Sequence, residues 1–367
     1  MSVEMEWERF GNAGSMMWCQ TEATKETTAK CAFRTLEGKL QDDKSEGKVL
    51  REEGGVCLPQ GASLRVACTA AEQYLAARGI EDAAVDAWYL LEYVTGVSRA
   101  RYLADRDKSM KEEQRDAYAA LVTQRGAHIP LQHLTGEQEF MGLPFLVSEA
   151  VLIPRQDTET LVELALEKIK ASLRSDAVPG KNKAGQNADL PREEKDRYRV
   201  LDLCTGSGCI AVSIAKLCER MPEVCASDLS ADALAVAREN ARRLGVDVRF
   251  FQSDLFTQIT KPAEGFDLIV SNPPYIRTRV IEELSEEVRL HEPRMALDGG
   301  MDGLEFYRRI VCESRDYLRS GGWLLLEIGY DQGTEVADLL RRYGFSQVRV
   351  SKDLAGNDRV AEGIYDA

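Results

Sequence analysis

The sequence predicts an α/β fold, a mostly parallel sheet covered by helices on both faces, preceded by a small all-helical domain. Three observations carry this. From Tyr198 onward, short apolar runs alternate with amphipathic helical stretches. Between Ser63 and Arg125 apolar residues recur only at helical spacing. And the first apolar run after Tyr198 leads straight into Thr205-Gly206-Ser207-Gly208, followed by a helical pattern, the strand-turn-helix order that places a ligand at the carboxyl end of a sheet.

Residues 1–61 are rich in Thr, Glu, Lys and Gly and poor in apolar periodicity, which predicts a flexible extension. Ser63 then caps a helix marked by Leu64, Ala67, Cys68, Ala71 and Leu75 and ending near Gly79. Further helices are predicted over 82–95, 99–103 and 111–125, with Gly96 and Gly126 as stops, giving a helical domain over 62–137 that is expected to recognise substrate. Apolar alternation about Gly142 and Pro144 predicts a hairpin over 139–147. It opens a linking segment, 138–197, that holds a helix capped by Asp157 or Thr158 and a polar surface insertion from 175. Over 198–367, strands are predicted near 199–204, 223–228, 247–251, 266–271 and 322–328, and helices near 209–220, 231–244, 303–319 and 332–343.

Composition excludes several classes. No run approaches the ~20 apolar residues of a membrane helix, and Met1–Gln20 does not read as a secretory leader, so a cytoplasmic protein is expected. Nine cysteines without a C-x-x-C pair and three scattered histidines predict neither a disulfide framework nor a metal site. The net charge is −14, and no segment is basic: residues 1–60 carry 8 basic and 11 acidic side chains, and residues 61–135 carry 9 and 10. Phosphate neutralisation supplies most non-specific affinity for nucleic acid, so direct nucleic-acid binding is not expected. A monomer is expected.

The chemistry-bearing residues cluster at strand ends. Cys204, Thr205, Gly206, Ser207 and Gly208 form a turn where two glycines let a ligand approach the backbone. Asp228 stands twenty residues after Gly208 at the end of the next strand, where a carboxylate can accept both hydroxyls of an adenosine ribose. After the third strand, Asp254 offers an acceptor for an adenine amino group and Leu255 an apolar wall. The fourth strand ends in Asn272-Pro273-Pro274-Tyr275. Two prolines remove two donors and fix φ twice, leaving a rigid loop with free carbonyls. A planar NH₂ group can donate to the Asn272 side-chain oxygen and the Pro273 carbonyl while Tyr275 packs on its plane. Glu327, inside an apolar strand, reads as structural because it is remote along the chain from this loop.

The turn Asp202–Gly208 and the Asn272–Tyr275 loop together resemble amino-directed methyltransferases. The blocks His133–Gly136, Glu139-Phe140, Leu152–Glu159, Glu292–Arg294 and Asp353–Arg359 resemble the HemK-type peptide chain release factor N5-glutamine methyltransferases, the PrmC family, over about residues 62–365. The resemblance implies a seven-stranded, Rossmann-like class I methyltransferase domain behind a helical domain. It implies S-adenosylmethionine as cofactor, and as substrate the glutamine in the Gly-Gly-Gln loop of class 1 release factors. Cys204–Gly208, Asp228, Asp254, Leu255 and Asn272 would hold the cofactor. Asn272, Pro273, Pro274 and Tyr275 would grip the glutamine, and Phe140 would wall the active site. Methylation of a ribosomal-protein glutamine or of a nucleobase amino group stays open as an alternative.

Overall fold

The computed structural model describes residues 54–175, 197–219 and 221–366. Most of the expected extension (1–53) and of the expected insertion (176–196) lies outside the described residues.

The chain divides into two compact units, one running to Ala76 and from Glu81 to Val122, the other taking Ala77–Ile80 and everything from Thr123. The first is helical: α1 (Leu64–Ala76), α2 (Ala83–Thr95), α3 (Arg99–Asp105) and most of α4 (Glu112–Arg125). Ser63 caps α1 by accepting from the Val66 N–H at 3.3 Å, and Ser98 caps α3. The spaced residues of α1 turn inward, and on α2 Ala87, Leu90 and Leu91 are fully buried. Tyr118 is buried with them, its hydroxyl donating to the Ala87 carbonyl at 2.8 Å, so the one polar atom of a large core residue is satisfied. Packing begins earlier than the sequence suggests. Leu58 is buried, and the Met110 N–H donates to the Ala62 carbonyl, tying the segment before α1 to the one before α4.

The second unit opens with α5 (Leu131–Thr135), which sequence periodicity missed because it is barely one turn long, and a hairpin of β1 (Glu137–Phe140) and β2 (Leu143–Leu146). A 3₁₀ turn over Gln156–Thr158 feeds α6 (Glu159–Ser175). Then follow β3 (Arg199–Leu203), α7 (Cys209–Leu217), β4 (Glu223–Asp228), α8 (Ala231–Leu244), β5 (Arg249–Gln252) and β6 (Phe266–Ser271). After β6 come a 3₁₀ stretch over Thr278–Glu283 and two short helices, α9 (Glu286–His291) and α10 (Arg294–Leu297). The chain ends with α11 (Glu305–Tyr317), β7 (Leu318–Glu327), α12 (Gly333–Arg342), β8 (Phe345–Lys352) and β9 (Asp358–Tyr365).

The large sheet has seven strands in the order β5-β4-β3-β6-β7-β9-β8. The first five are parallel, and β9 runs antiparallel between β7 and β8. Both faces are covered, which explains the continuous apolar runs of β3 and β7. Val200 and Leu325 face a layer that includes α6 and α7, whereas Leu201, Leu203, Leu324 and Leu326 face one that includes α11 and α12. Truncating a buried leucine such as Leu201 to alanine costs about 2–5 kcal/mol in a core of this kind.

Candidate active site

β3 and β6 pair side by side, with Leu203 opposite Ser271. Strand order reverses between them, since the chain goes from β3 to β4 on one side and later lays β6 on the other. Loops diverge at such a reversal and open a crevice. A cavity of about 570 Å³ lies there, lined by Cys204–Ser207, Asp228, Asp254, Leu255, Asn272 and Pro274 among others.

In the turn after β3, Cys204, Gly206 and Gly208 all have positive φ (58°, 54° and 80°). The two glycines do different work. A Cβ on Gly206 would meet nothing within 4 Å, leaving space beside the cavity, whereas one on Gly208 would sit 3.0 Å from the Ala237 Cβ. Gly208 therefore lets α8 close on the turn, and it is Gly206 that leaves room for a ligand. Asp228 fixes the turn from the neighbouring strand: its Oδ2 accepts from the Gly206 N–H and its Oδ1 from the Ser230 N–H, both at 2.9 Å. A carboxylate has about four lone-pair sites, so acceptor capacity is left over for a ligand. Burial pushes the Asp228 carboxyl up, and the backbone donors of Ser230, Gly206 and Leu229 oppose that shift.

Below the turn, Asp202 is fully buried and its Oδ2 accepts from the Thr205 hydroxyl (2.6 Å) and the Ala211 N–H (3.2 Å). Burial pushes its carboxyl up to about 7. Asn240 on α8 is a second brace: its amide exchanges hydrogen bonds with both backbone groups of Leu146 and donates to the Ser207 carbonyl at 2.9 Å, tying the hairpin to the turn. Asp202 opens the Asp202–Gly208 motif, whereas Asn240, set among Arg238, Glu239, Arg242 and Arg243, carries no sequence signal. Past β5, Leu255 is buried beside the cavity, while the Asp254 carboxylate pairs with Arg309 at 2.8 Å.

Asn272 reaches the cavity from the end of β6, and its Nδ2 donates to the Thr158 hydroxyl at 3.3 Å. Pro273 and Tyr275 are not among the cavity-lining residues. The Tyr275 side chain runs beneath the loop, where its hydroxyl donates to Glu327 Oε1 at 3.3 Å. Remoteness along the chain was therefore a poor guide to Glu327. β6 and β7 are neighbours, with Ser271 opposite Leu326, so Glu327 comes level with the start of the loop. Phe140, expected as a wall of the site, is instead 1% exposed and packs edge-on to Phe145 in the core, so it is not available to a ligand.

The segment Leu152–Glu159 proves to be a row of anchors. Arg155 pairs with Glu292 at 2.5 Å, Asp157 with Arg359 at 3.0 Å, Thr158 accepts from Asn272, and Glu159 accepts from the Met141 N–H at 2.6 Å. The loop after β6 is further held by Gly299, where an added Cβ would lie 2.6 Å from the Tyr275 Cα. The Gly299 N–H donates to the Ile276 carbonyl at 2.8 Å, and the Gln332 side chain donates to the Tyr275 carbonyl at 3.1 Å. Among the described residues no cluster of His, Cys, Asp and Glu could hold a metal ion, and no helix is long and apolar enough to cross a membrane.

Two family models match the chain: the PrmC N-terminal domain over residues 67–136 and the methyltransferase small domain over residues 188–292. The second match spans the turn, Asp228, Asp254 and the Asn272 loop. A doubly covered seven-stranded sheet, a cleft at its strand-order reversal and this match define a class I, S-adenosylmethionine-dependent methyltransferase. The release factor glutamine methyltransferase of Geobacter sulfurreducens is 41% identical over 292 residues, covering 79% of this chain and 92% of the relative. That of Bacillus subtilis is 37% identical over 290 residues, covering 79% and 93%. The chain belongs to the release factor glutamine methyltransferase family. Among solved structures, the release factor-specific protein-(glutamine-N5) methyltransferase of Alicyclobacillus acidocaldarius aligns at 33% identity over 61% of this chain and all of its own, with a TM-score of 0.33.

Proposed function

We propose that this protein methylates the side-chain amide nitrogen of the glutamine in the Gly-Gly-Gln loop of class 1 release factors, in the cytoplasm and as a monomer. The observation that carries the reading is Asn272, placed at the cavity on a loop that two prolines make rigid, across from the Gly206 turn and Asp228. The relatives are named release factor glutamine methyltransferases.

The cleft suits the cofactor. Gly206 leaves space, Asp228 keeps acceptor capacity for ribose hydroxyls, Leu255 supplies an apolar surface, and the buried Ser207 hydroxyl has no well-aligned protein partner. Asp254 serves the adenine end only by sharing its carboxylate with Arg309. The cofactor supplies a methyl group already activated by a positive sulfur, so no acid is required of the protein. An amide nitrogen is a weak nucleophile because its lone pair is delocalised, which leaves alignment as the protein's main task; in favourable cases alignment contributes up to about 7–11 kcal/mol. Asn272 Oδ1 and the Pro273 carbonyl accept from the substrate NH₂, orient its nitrogen and stabilise the positive charge that grows on it. Tyr275 contributes by bracing the loop from below, in place of the ring stacking expected of it.

Incubating the full-length protein with labelled S-adenosylmethionine and, separately, a purified class 1 release factor, ribosomal protein and DNA tests the reading. Label is expected on the release factor alone, at its Gly-Gly-Gln glutamine. Label on DNA or ribosomal protein with the release factor untouched would overturn it.

A further inference from the structure

We propose that Arg359, on β9, is a positioning residue for the substrate site: through Asp157 it sets the place of Thr158 and, through Thr158, that of the Asn272 side chain. This rests on the reading of Asn272 as the acceptor for the substrate NH₂ group and adds what holds that acceptor still.

The prolines restrict the backbone at Asn272, but the side chain still turns about two bonds. Its Nδ2 donates to the Thr158 hydroxyl at 3.3 Å. Thr158 is buried and β-branched, so its hydroxyl goes where its backbone puts it. That backbone is a 3₁₀ turn of three residues, Gln156–Thr158, with no side-chain cap at its entry. A turn this short, with the poorer hydrogen-bond geometry of its class, does not locate itself. Arg155 and Glu159 anchor its flanks, on Glu292 and on the Met141 N–H, and Asp157 is the anchor inside it.

Asp157 Oδ2 lies 3.0 Å from Arg359 Nη2, and that guanidinium is itself fixed. Its Nε and Nη2 donate to Asp353 Oδ2 at 3.2 and 3.1 Å, and its Nη1 donates to the Ile328 carbonyl at 3.4 Å. Asp353 is held in turn, its Oδ1 accepting from the Asn357 N–H at 2.9 Å. The Arg359 carbonyl accepts from the Ile328 N–H at 2.8 Å, so backbone and side chain both register on the chain just past β7. A planar fork tied down in this way is a fixed post for a carboxylate. The two carboxylates it meets differ in burial. The Asp353 side chain is 2% exposed and offsets the charge of a buried cation, whereas Asp157 is 50% exposed. An ion pair with so open a partner adds little to folding. The Asp157 contact is therefore dispensable to the fold, and what it supplies is location: it joins the segment 152–159 to the turn 353–359, the two blocks of sequence whose purpose the cleft alone leaves unexplained.

Full-length Asp157→Ala, Asp157→Asn, Arg359→Lys and the double variant Asp157→Ala/Arg359→Lys, compared with wild type, test this by two routes, with rates expressed per cofactor-binding molecule. On release factor, Asp157→Ala is expected to lower kcat about tenfold, within the loss of up to about a hundredfold that a misplacement of ~1 Å can cause. Cofactor affinity should stay within about twofold and Tm within about 2 °C. Asp157→Asn keeps an oxygen for the guanidinium and should recover most of the rate. Lysine has no fork with which to serve both carboxylates, so Arg359→Lys should also be slow. If it acts through Asp157, adding it to Asp157→Ala should cost no more than about a further twofold. Without substrate, the Asn272 side-chain amide resonances, assigned by their loss in Asn272→Ala, should shift or broaden in Asp157→Ala and return toward wild type in Asp157→Asn. An Asp157→Ala enzyme with more than half of wild-type kcat, an Asp157→Asn enzyme as slow as Asp157→Ala, fully additive losses in the double variant, or Asn272 resonances indifferent to Asp157→Ala would each overturn the positioning role. A wild type inert toward release factor whose Asn272 resonances respond as described would overturn the substrate reading and support the positioning role.

Discussion

Asn272 and Asp228 divide the labour of the cleft, and their substitutions are expected to separate. Asn272→Ala removes a substrate acceptor and leaves the turn after β3 untouched. It should abolish turnover while calorimetric titration with cofactor stays near normal; a folded variant keeping half its rate would contradict the assignment. Asp228→Ala removes the group that fixes the Gly206 N–H as well as the ribose acceptor. Hydrogen bonds to charged groups are worth about 1.5–3 kcal/mol each, so cofactor affinity should fall at least tenfold. An unchanged dissociation constant would assign the carboxylate to the turn alone. At this scale sequence was informative where a residue type is demanded by local backbone, as in Gly206 or the two prolines. It failed where a partner is needed: Glu327 and Thr158 are identified by what they touch, and no spacing announces contacts across 114 or 52 positions of chain.

The loop after β6 is only as rigid as the elements behind it. Gly299, in the stretch between α10 and α11, lies flat against the Tyr275 backbone, closer than any side chain permits. Gly299→Ala should therefore push the loop, lowering kcat by more than tenfold through misalignment at the reacting centre. Thermal unfolding should show the sheet intact, with a loss of about 1–3 kcal/mol, typical of overpacking. A fully active Gly299→Ala enzyme would show that the loop tolerates displacement. The inner parallel strands β3, β4, β6 and β7 were readable because both their faces are largely buried and their apolar runs are nearly continuous. β8 and β9 were not. β8 alternates inward and exposed positions at the sheet edge, and β9 carries Arg359 and Glu362 inside its run, charges that are tolerable there only because Asp353 and Lys168 meet them. The helices α9 and α10 are too short for periodicity to register.

For the whole molecule, specificity poses a question of surface area. One amide side chain offers too little contact to distinguish one glutamine from all others, so discrimination requires contacts remote from the chemistry. The helical unit is our candidate for making them. With the full-length enzyme, kcat/KM on a short Gly-Gly-Gln peptide should fall far below that on intact release factor, mainly through KM. Equal efficiency on both would place all recognition at the cleft.

The position of β9 has a consequence in time. This strand follows both β7 and β8 in the chain yet lies between them in the sheet, and it carries the guanidinium that stands by Glu327. A growing chain can lay down β3 to β6 and the turn that receives the cofactor long before Arg359 has been translated. The buried carboxylate acquires its cation, and β7 its second neighbour, only once β9 has been made and has entered the sheet between β7 and β8.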